Sequence, residues 1–238
     1  EWCLGAITER TAAVVVETVQ GEWGVRRPAD GYLRKLRSRC TEVGALLIFD
    51  EIQAGYGRTG TLFAFEQYGA VPDILLLAKG MGGGMPIGAF VAAKDMMNAL
   101  SENPILGHIT TFGGHPVSCA AGLATLETLL AEDYIKAVKT KEKLFLEYLQ
   151  HPAIREVRSA GLWMAVEMPD FEFIQSVIKH CLAEGLLTDW FLFNDRSLRI
   201  APPLIITEEQ IRWACGVILD AVDKTAKARG IDRWQVLQ

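Results

Sequence analysis

The sequence is short of the features that mark several protein classes. Its five cysteines, Cys3, Cys40, Cys119, Cys181 and Cys215, are scattered, odd in number and without a CxxC pair. That excludes a disulfide framework and reads as reduced thiols in a cytoplasmic protein. The four histidines, His108, His115, His151 and His180, show neither HExxH nor a mixed Cys/His spacing, so no metal site is expected. Basic residues are outnumbered: 24 Lys and Arg face 29 Asp and Glu, a formal net charge of -5. No general attraction to nucleic acid follows from that balance. No apolar run approaches the length needed to cross a bilayer, so no membrane span is expected. The opening EWCLGAITER lacks the basic start and apolar core of a signal peptide. It also lacks an initiator Met, which fits a fragment or a processed chain. Internal repeats and low-complexity segments are missing too. GlyMetGlyGlyGly after Lys79 is not the glycine pattern of a dinucleotide site. Lys79 precedes its glycines with no Ser or Thr directly after it, so it is not a P-loop lysine.

What is present is a globular composition, 50% hydrophobic and 22% charged over 238 residues. That length can bury one large domain or one and a half. The chain is organised around Leu46 to Gly88. Two apolar runs, Leu46–Phe49 and Ile74–Leu77, have the length and bounding turns of buried strands. Asp50 follows the first, and Lys79 comes just after the second. In open α/β sheets ligands sit outside the carboxyl ends of the strands, so a carboxylate and an amine would project into one crevice. An amine there can form a Schiff base, and a carboxylate can hold a cationic ring nitrogen. That is the equipment of a pyridoxal phosphate (PLP) enzyme. In its glycine loop the Lys79 amine is expected to be partly desolvated, which favours the neutral nucleophile. From position alone, a surface loop lysine is the plainer reading. Asp50 could likewise be a strand-end cap or a partner of Arg58.

The rest of the chain builds round this stretch. Ala12–Val16 reads as a strand, ending at Glu17 and a turn that brings Gln20 and Glu22 near the strand's end. A helix follows Pro28, with Asp30 as its N-cap and an apolar stripe of Tyr32, Leu33, Leu36, Cys40 and Val43; Gly44 ends it. Strand, helix, strand implies a parallel sheet. Leu62–Tyr68 is a short helix or turn, Gly88–Ala93 a returning strand and Lys94–Leu100 a short helix. Ser101–Pro116 is an irregular polar loop of a length that is often functional. Pro116 opens a helix whose Ser118–Leu130 portion is apolar on most faces and expected to be buried. Asp133–Leu149 is amphipathic, with Lys136, Lys139, Lys141 and Lys143 outward. His151-Pro152 marks a boundary. Beyond it come strands at Ile154–Ser159, Leu162–Glu167, Leu186–Phe191 and Leu198–Ile200, with a turn at Asn194-Asp195. Helices are expected at Phe171–Glu184 and from Thr207 to about Ala228. The division expected is therefore residues 1–150, part of a mainly parallel α/β domain, and residues 151–238, a small α+β domain.

The words LLIFDEIQAGYGRTG, PDILLLAKGMGGGMPIGA and HITTFGGHP are long, ordered and correctly separated. They resemble the core of the class III, or ω-amino-acid, aminotransferases of the fold-type I PLP enzymes, from about Ala12 to the last helix. The part resembled is the C-terminal portion of those longer enzymes. The resemblance implies PLP as cofactor, with Lys79 as its lysine, Asp50 against the pyridine nitrogen and Gln53 near the ring's phenolic oxygen. It implies that Thr111, with Thr110, reaches the phosphate of a second subunit's cofactor, and so a homodimer with shared active sites. His115 stands where most relatives have Asn. Arg199, in LeuArgIleAlaProPro, is by resemblance the guanidinium that grips the α-carboxylate of glutamate or 2-oxoglutarate. Glu22, in GlnGlyGluTrpGly, matches the glutamate that several members set against that arginine. A planar fork suits a carboxylate, and a nearby Glu can neutralise it when the other substrate has none. A strand-edge salt bridge is the structural alternative for Arg199, and an ordinary loop amide for Gln53. The implied reaction moves an amino group between an ω-amino donor of the ornithine, N-acetylornithine or 4-aminobutyrate type and 2-oxoglutarate. The alternatives are a class III aminomutase or decarboxylase, or a truncated half that binds PLP or a partner without turnover. The glycine/serine phosphate turn and the ring-stacking aromatic that the family carries before this portion are not found in this chain.

Overall fold

The computed structural model describes residues 2–231; residue 1 and residues 232–238 of the expected domain ranges lie outside the described residues. The elements run α1 (Trp2–Gly5), β1 (Ala13–Glu17), α2 (Tyr32–Val43), β2 (Leu46–Asp50), β3 (Ile74–Leu77), β4 (Ala89–Ala92), α3 (Lys94–Asn98), α4 (Pro116–Ala131), α5 (Tyr134–Tyr148), β5 (Glu156–Ser159), β6 (Met164–Glu167), α6 (Phe171–Ala183), β7 (Asp189–Phe191), β8 (Asn194–Ile200) and α7 (Glu208–Arg229). They form two compact units. One comprises the chain up to Thr18 with Pro28–Gly57 and Thr61–Asp133. The other comprises Val19–Arg27, Arg58–Gly60 and the chain from Tyr134 on.

The first unit holds a four-stranded sheet in sequence order, β1-β2-β3-β4. β1, β2 and β3 are parallel, with Glu17 beside Asp50 and Asp50 beside Leu76; β4 returns antiparallel on the edge. The alternation of β2 is plain: Leu47 and Phe49 are fully buried, while Leu46, Ile48 and Asp50 are half-buried. Helix α2 covers the Leu47 and Phe49 face with Leu33, Leu36 and Cys40, three positions on one side of a 3.6-residue period. It ends at Gly44, whose φ of 76° closes the helix in the left-handed region. Its N-cap is Gly31 at φ 74° with no side-chain cap, rather than Asp30.

The second unit packs α5, α6 and α7 against an antiparallel sheet in the order β5-β6-β8-β7. β6 is buried along its whole length. Its side chains meet Phe173, Ile174 and Val177 of α6 and Ile211, Ile218 and Val222 of α7 in one core. Asp170 caps α6 by accepting from Phe173 N–H at 2.9 Å. Thr207 and Gln210 cap α7 reciprocally.

Four further expectations are corrected here. Helix α5 packs with the second unit through Val138, Phe145 and Leu149, so this partition falls near Asp133 and not at residue 150. Helix α4 is not buried. Only Ser118 and Gly122 are, at the glycine turn after Lys79, while Val117, Leu123 and Leu130 are exposed. Apolar character sets what a face needs, and among the described residues no element of its own unit covers those exposed side chains. Lys141 does not point outward: its Nζ donates to the Leu204 carbonyl at 2.6 Å, and burial pushes its pKa down. Asn194 begins β8 rather than forming the turn, so the hairpin reverses at Leu192 and Phe193.

Candidate active site

β2 and β3 are neighbouring parallel strands, so their carboxyl ends lie on one edge of the sheet. Asp50 is the last residue of β2. Its Oδ1 accepts from Ile52 N–H at 2.9 Å, which fixes the carboxylate at the start of the loop. β3 ends at Leu77, and Lys79 opens a 3-10 turn of Lys79–Gly82. Lys79 has φ 49°, in the left-handed region that non-glycine residues seldom occupy. Such strain persists only where the surroundings over-determine it. Those surroundings are visible. A Cβ at Gly83 would fall 2.0 Å from Thr125 Oγ1, one at Gly122 3.2 Å from the Met81 carbonyl, and one at Gly80 3.4 Å from Tyr56 Cβ. Glycines thus let α4 and the Tyr56 loop press on the turn that carries Lys79. The residue as a whole is exposed.

Gln53 is half-buried in the loop after Asp50. Thr110 and Thr111 lie on the exposed loop leading into α4, where Thr110 Oγ1 occupies the space a Cβ on Gly113 would need. His115 is the N-cap residue of α4, its carbonyl accepting from Cys119 N–H at 2.9 Å.

Sequence reasoning passed over Glu51. Its side chain is 1% exposed. It accepts from Ala64 N–H at 2.7 Å and Phe65 N–H at 2.6 Å, at the head of the 3-10 turn Ala64–Gln67. Its own N–H donates to the Leu76 carbonyl at 3.0 Å, and its carbonyl accepts from Gly55 N–H at 3.0 Å. Burial pushes the Glu51 carboxyl up, and those backbone donors only partly offset it. The residue beside Asp50 is therefore the staple that ties the strand end to the loop after it. The AspGlu pair at a strand end was the signal available.

In the second unit Arg199 and Glu22 are brought together. Arg199 Nη2 lies 2.7 Å from both Glu22 oxygens, and each side chain is about a quarter exposed. The guanidinium sits 4.7 Å above the Phe191 ring. Its Nε is buried with no hydrogen-bond partner among the described residues. Beside it is a cavity of about 360 Å³ with largely apolar walls, including Phe145, Leu186, Ile206 and Trp213.

Arg58 was weighed from sequence only as a partner for Asp50, and its buried anchoring role was missed. Its Nη1 donates to the carbonyls of Leu162 at 2.8 Å and Pro202 at 2.5 Å, and burial pushes the guanidinium down to about 10. It thereby anchors the chain just after Arg199, in place of the Asp50 partnership weighed from sequence. No group of three or more metal-ligating side chains occurs among the described residues. No helix among them is long and apolar enough to cross a membrane.

The family model described as Aminotransferase class-III matches residues 3–222. The putrescine aminotransferase of Pectobacterium atrosepticum is 45% identical over 226 residues, 92% of this chain and 47% of that protein. The acetylornithine aminotransferase of Methanopyrus kandleri is 43% identical over 91% of this chain and 55% of its own length. The chain thus spans about half the length of the curated relatives it matches. Among solved structures, the ornithine aminotransferase of Toxoplasma gondii superposes with a TM-score of 0.86 at 34% identity, over 96% of this chain and 54% of that one. A Bacillus anthracis aminotransferase gives 0.83 at 31% identity, over 90% and 52%. The α/β arrangement is that of the fold-type I aminotransferases, and the chain belongs to the class III aminotransferase family.

Proposed function

We propose that this chain carries the lysine-bearing part of a PLP-dependent aminotransferase. The reaction is amino transfer between an ω-amino donor and the glutamate/2-oxoglutarate pair. The observation that supports it most is Asp50 and Lys79 at the carboxyl ends of adjacent parallel strands, with Lys79 in a strained conformation. This donor set suits a phosphorylated pyridine aldehyde: an amine for the aldehyde and an anion for the ring nitrogen.

PLP, when bound, supplies an electron sink for the amine-bearing carbon of the substrate. The chain's own residues do the rest. Lys79 would hold the cofactor through its amine, and its free Nζ would be the positioned general base for the proton on the donor's amine-bearing carbon. Asp50 keeps a proton on the ring nitrogen by charge-assisted hydrogen bonding. Gln53 serves the ring's phenolic oxygen. Arg199 receives the α-carboxylate of glutamate or 2-oxoglutarate, and Glu22 neutralises it while a donor without that carboxylate is bound. Ornithine, N-acetylornithine and 4-aminobutyrate fit this scheme, and the relative named for putrescine adds that diamine.

The assembly in this reading is a homodimer, with Thr110 and Thr111 serving the cofactor phosphate of the other subunit. Support comes from the apolar surface on and before α4: Ile105, Ile109, Phe112, Val117, Leu123 and Leu130 are all more than half exposed. Large apolar side chains exposed along one segment suit a partner site, and a second copy is the partner proposed. A cytoplasmic location is part of the same reading, supported by five free cysteines.

Amino transfer is the test. With PLP, each amine in turn and 2-oxoglutarate, glutamate should form, and Lys79→Ala should abolish it. Release of carbon dioxide or an isomerised amino acid without 2-oxoglutarate consumption would favour the decarboxylase or aminomutase chemistry instead.

A further inference from the structure

The contacts of Glu22 are not limited to Arg199. Its Oε2 also accepts from Leu192 N–H at 2.9 Å, and its own carbonyl accepts from Phe193 N–H at 3.1 Å. Both donors sit at the tip of the β7–β8 hairpin. The next residues tighten the same junction. The Trp23 ring packs on Phe193 with centroids 5.8 Å apart. The Trp23 carbonyl accepts from Asn194 Nδ2 at 3.3 Å and from Arg26 Nε at 3.1 Å. The Gly24 carbonyl accepts from Arg158 Nε at 2.8 Å, and Arg158 Nη2 reaches Ser197 Oγ of β8 at 2.8 Å. A Cβ at Gly24 would fall 2.5 Å from Asn194 Nδ2. Val25, 1% exposed, is held at φ 53°, a left-handed conformation that is a true outlier for a β-branched residue. A loop in that state is held in one conformation by its surroundings.

We propose that the tip of the β7–β8 hairpin, through Phe193 and Asn194, is the keeper of Glu22. These two act as positioning residues that set how strongly Glu22 competes with a substrate carboxylate for Arg199. This rests on the reading of Arg199 as a carboxylate binder. Glu22 reaches the guanidinium with its backbone and one oxygen already fixed, so no rotamer search weakens the bridge. A dicarboxylate must displace an anion that keeps a second hydrogen bond, from Leu192 N–H. A donor without that carboxylate instead meets an Arg199 whose charge is already matched. Loosening the hairpin tip should therefore favour dicarboxylates and disfavour amines lacking a carboxylate. A general loss of structure would weaken both.

The test uses amide hydrogen exchange and calorimetric titration of the intact chain with glutarate, a five-carbon dicarboxylate. Asn194→Ala should speed exchange of the Leu192 amide by about three- to tenfold, the worth of one ordinary hydrogen bond. The amides of Leu198 to Ile200 should be unaffected. Glutarate should bind tighter by a comparable factor. Phe193→Ala, which removes the tilted ring contact with Trp23 and keeps the backbone N–H, should move both readouts the same way. Glu22→Gln should tighten glutarate further, and Arg199→Ala should abolish its binding. If Glu22→Gln tightens glutarate while both hairpin variants leave it unchanged or weaker, the keeper role is wrong. If neither Glu22→Gln nor Arg199→Ala alters glutarate binding, the carboxylate role of Arg199 is wrong, and the keeper role falls with it.

Discussion

Replacing Glu51 with Ala perturbs the residue that fastens the strand end of Asp50 to its loop. The variant leaves a buried amide, Ala64 N–H, and a part-buried one, Phe65 N–H, without the carboxylate that now accepts from them at 2.7 and 2.6 Å. Each unsatisfied buried donor costs about 1–3 kcal/mol. Removing an anion that is 1% exposed returns part of that, because its desolvation disappears with it. The net expectation is a loss of about 3 kcal/mol, a large share of the roughly 5–15 kcal/mol that a domain has. Glu51→Gln keeps the volume and one acceptor but sets an amide NH₂ against one of the two donors, so about 1–2 kcal/mol should be lost. Urea unfolding followed by far-ultraviolet circular dichroism reads both, as a lowered midpoint at unchanged slope. The order matters as much as the size: Ala must cost more than Gln. A Glu51→Ala variant within about 0.5 kcal/mol of the parent, the range of an ordinary surface substitution, would refute the staple role.

Gly161 should not tolerate alanine. Its φ is +70°, and a Cβ there would meet the Arg58 carbonyl at 2.4 Å, so thermal unfolding of Gly161→Ala should fall by several degrees, from a loss of roughly 2 kcal/mol or more. Asp170 carries a pH signature. Its hydrogen bonds with Arg229 hold its carboxyl below the usual range, against a smaller upward push from burial. The stability it contributes is thus present above the unfolded carboxylate value of about 3.9 and is lost as pH falls through the lowered folded value. Arg229→Gln should cost about 1 kcal/mol near neutrality and progressively less as pH falls below the unfolded value, as urea midpoints at about pH 7 and about pH 3 would show. Glu51 runs the other way. Its folded pKa is raised, so its contribution is fullest below the unfolded value of about 4.3 and declines as pH rises through the folded one. The deficit of Glu51→Gln should therefore be larger at pH 4 than at pH 7.

Much of the frame was legible because local signals and global packing agree. The runs Leu46–Phe49 and Ile74–Leu77 are β2 and β3, apart from Asp50 joining the first, since a short apolar run between turns has few other places to go. Gly44 and Thr207 terminate and start their helices by capping chemistry that needs no distant partner. The return of β4 beside β3 was read from the run Gly88–Ala93, but the pairing β6-β8-β7 depends on hydrogen-bond partners farther along the chain, which no local pattern states. Glu51 and the anchoring role of Arg58 were missed for the same reason. A charged residue in a polar loop reads as solvated, yet Arg58 reaches carbonyls 104 and 144 residues away. Helix α4 was misjudged because hydrophobicity reports that a face seeks cover, not what covers it. Of the residues matched by resemblance, Glu22 and Arg199 meet within one unit, and Asp50 and Lys79 share one sheet edge.

The central claim is that Lys79 is the amine that holds the cofactor. Incubation of the protein with PLP, reduction with borohydride and peptide mapping by mass spectrometry test it directly. The account predicts a reduced pyridoxyl adduct on Lys79, which Lys79→Arg removes without creating another of similar yield. An unlabelled Lys79 beside adducts spread over Lys94, Lys143 and the other surface lysines would contradict it.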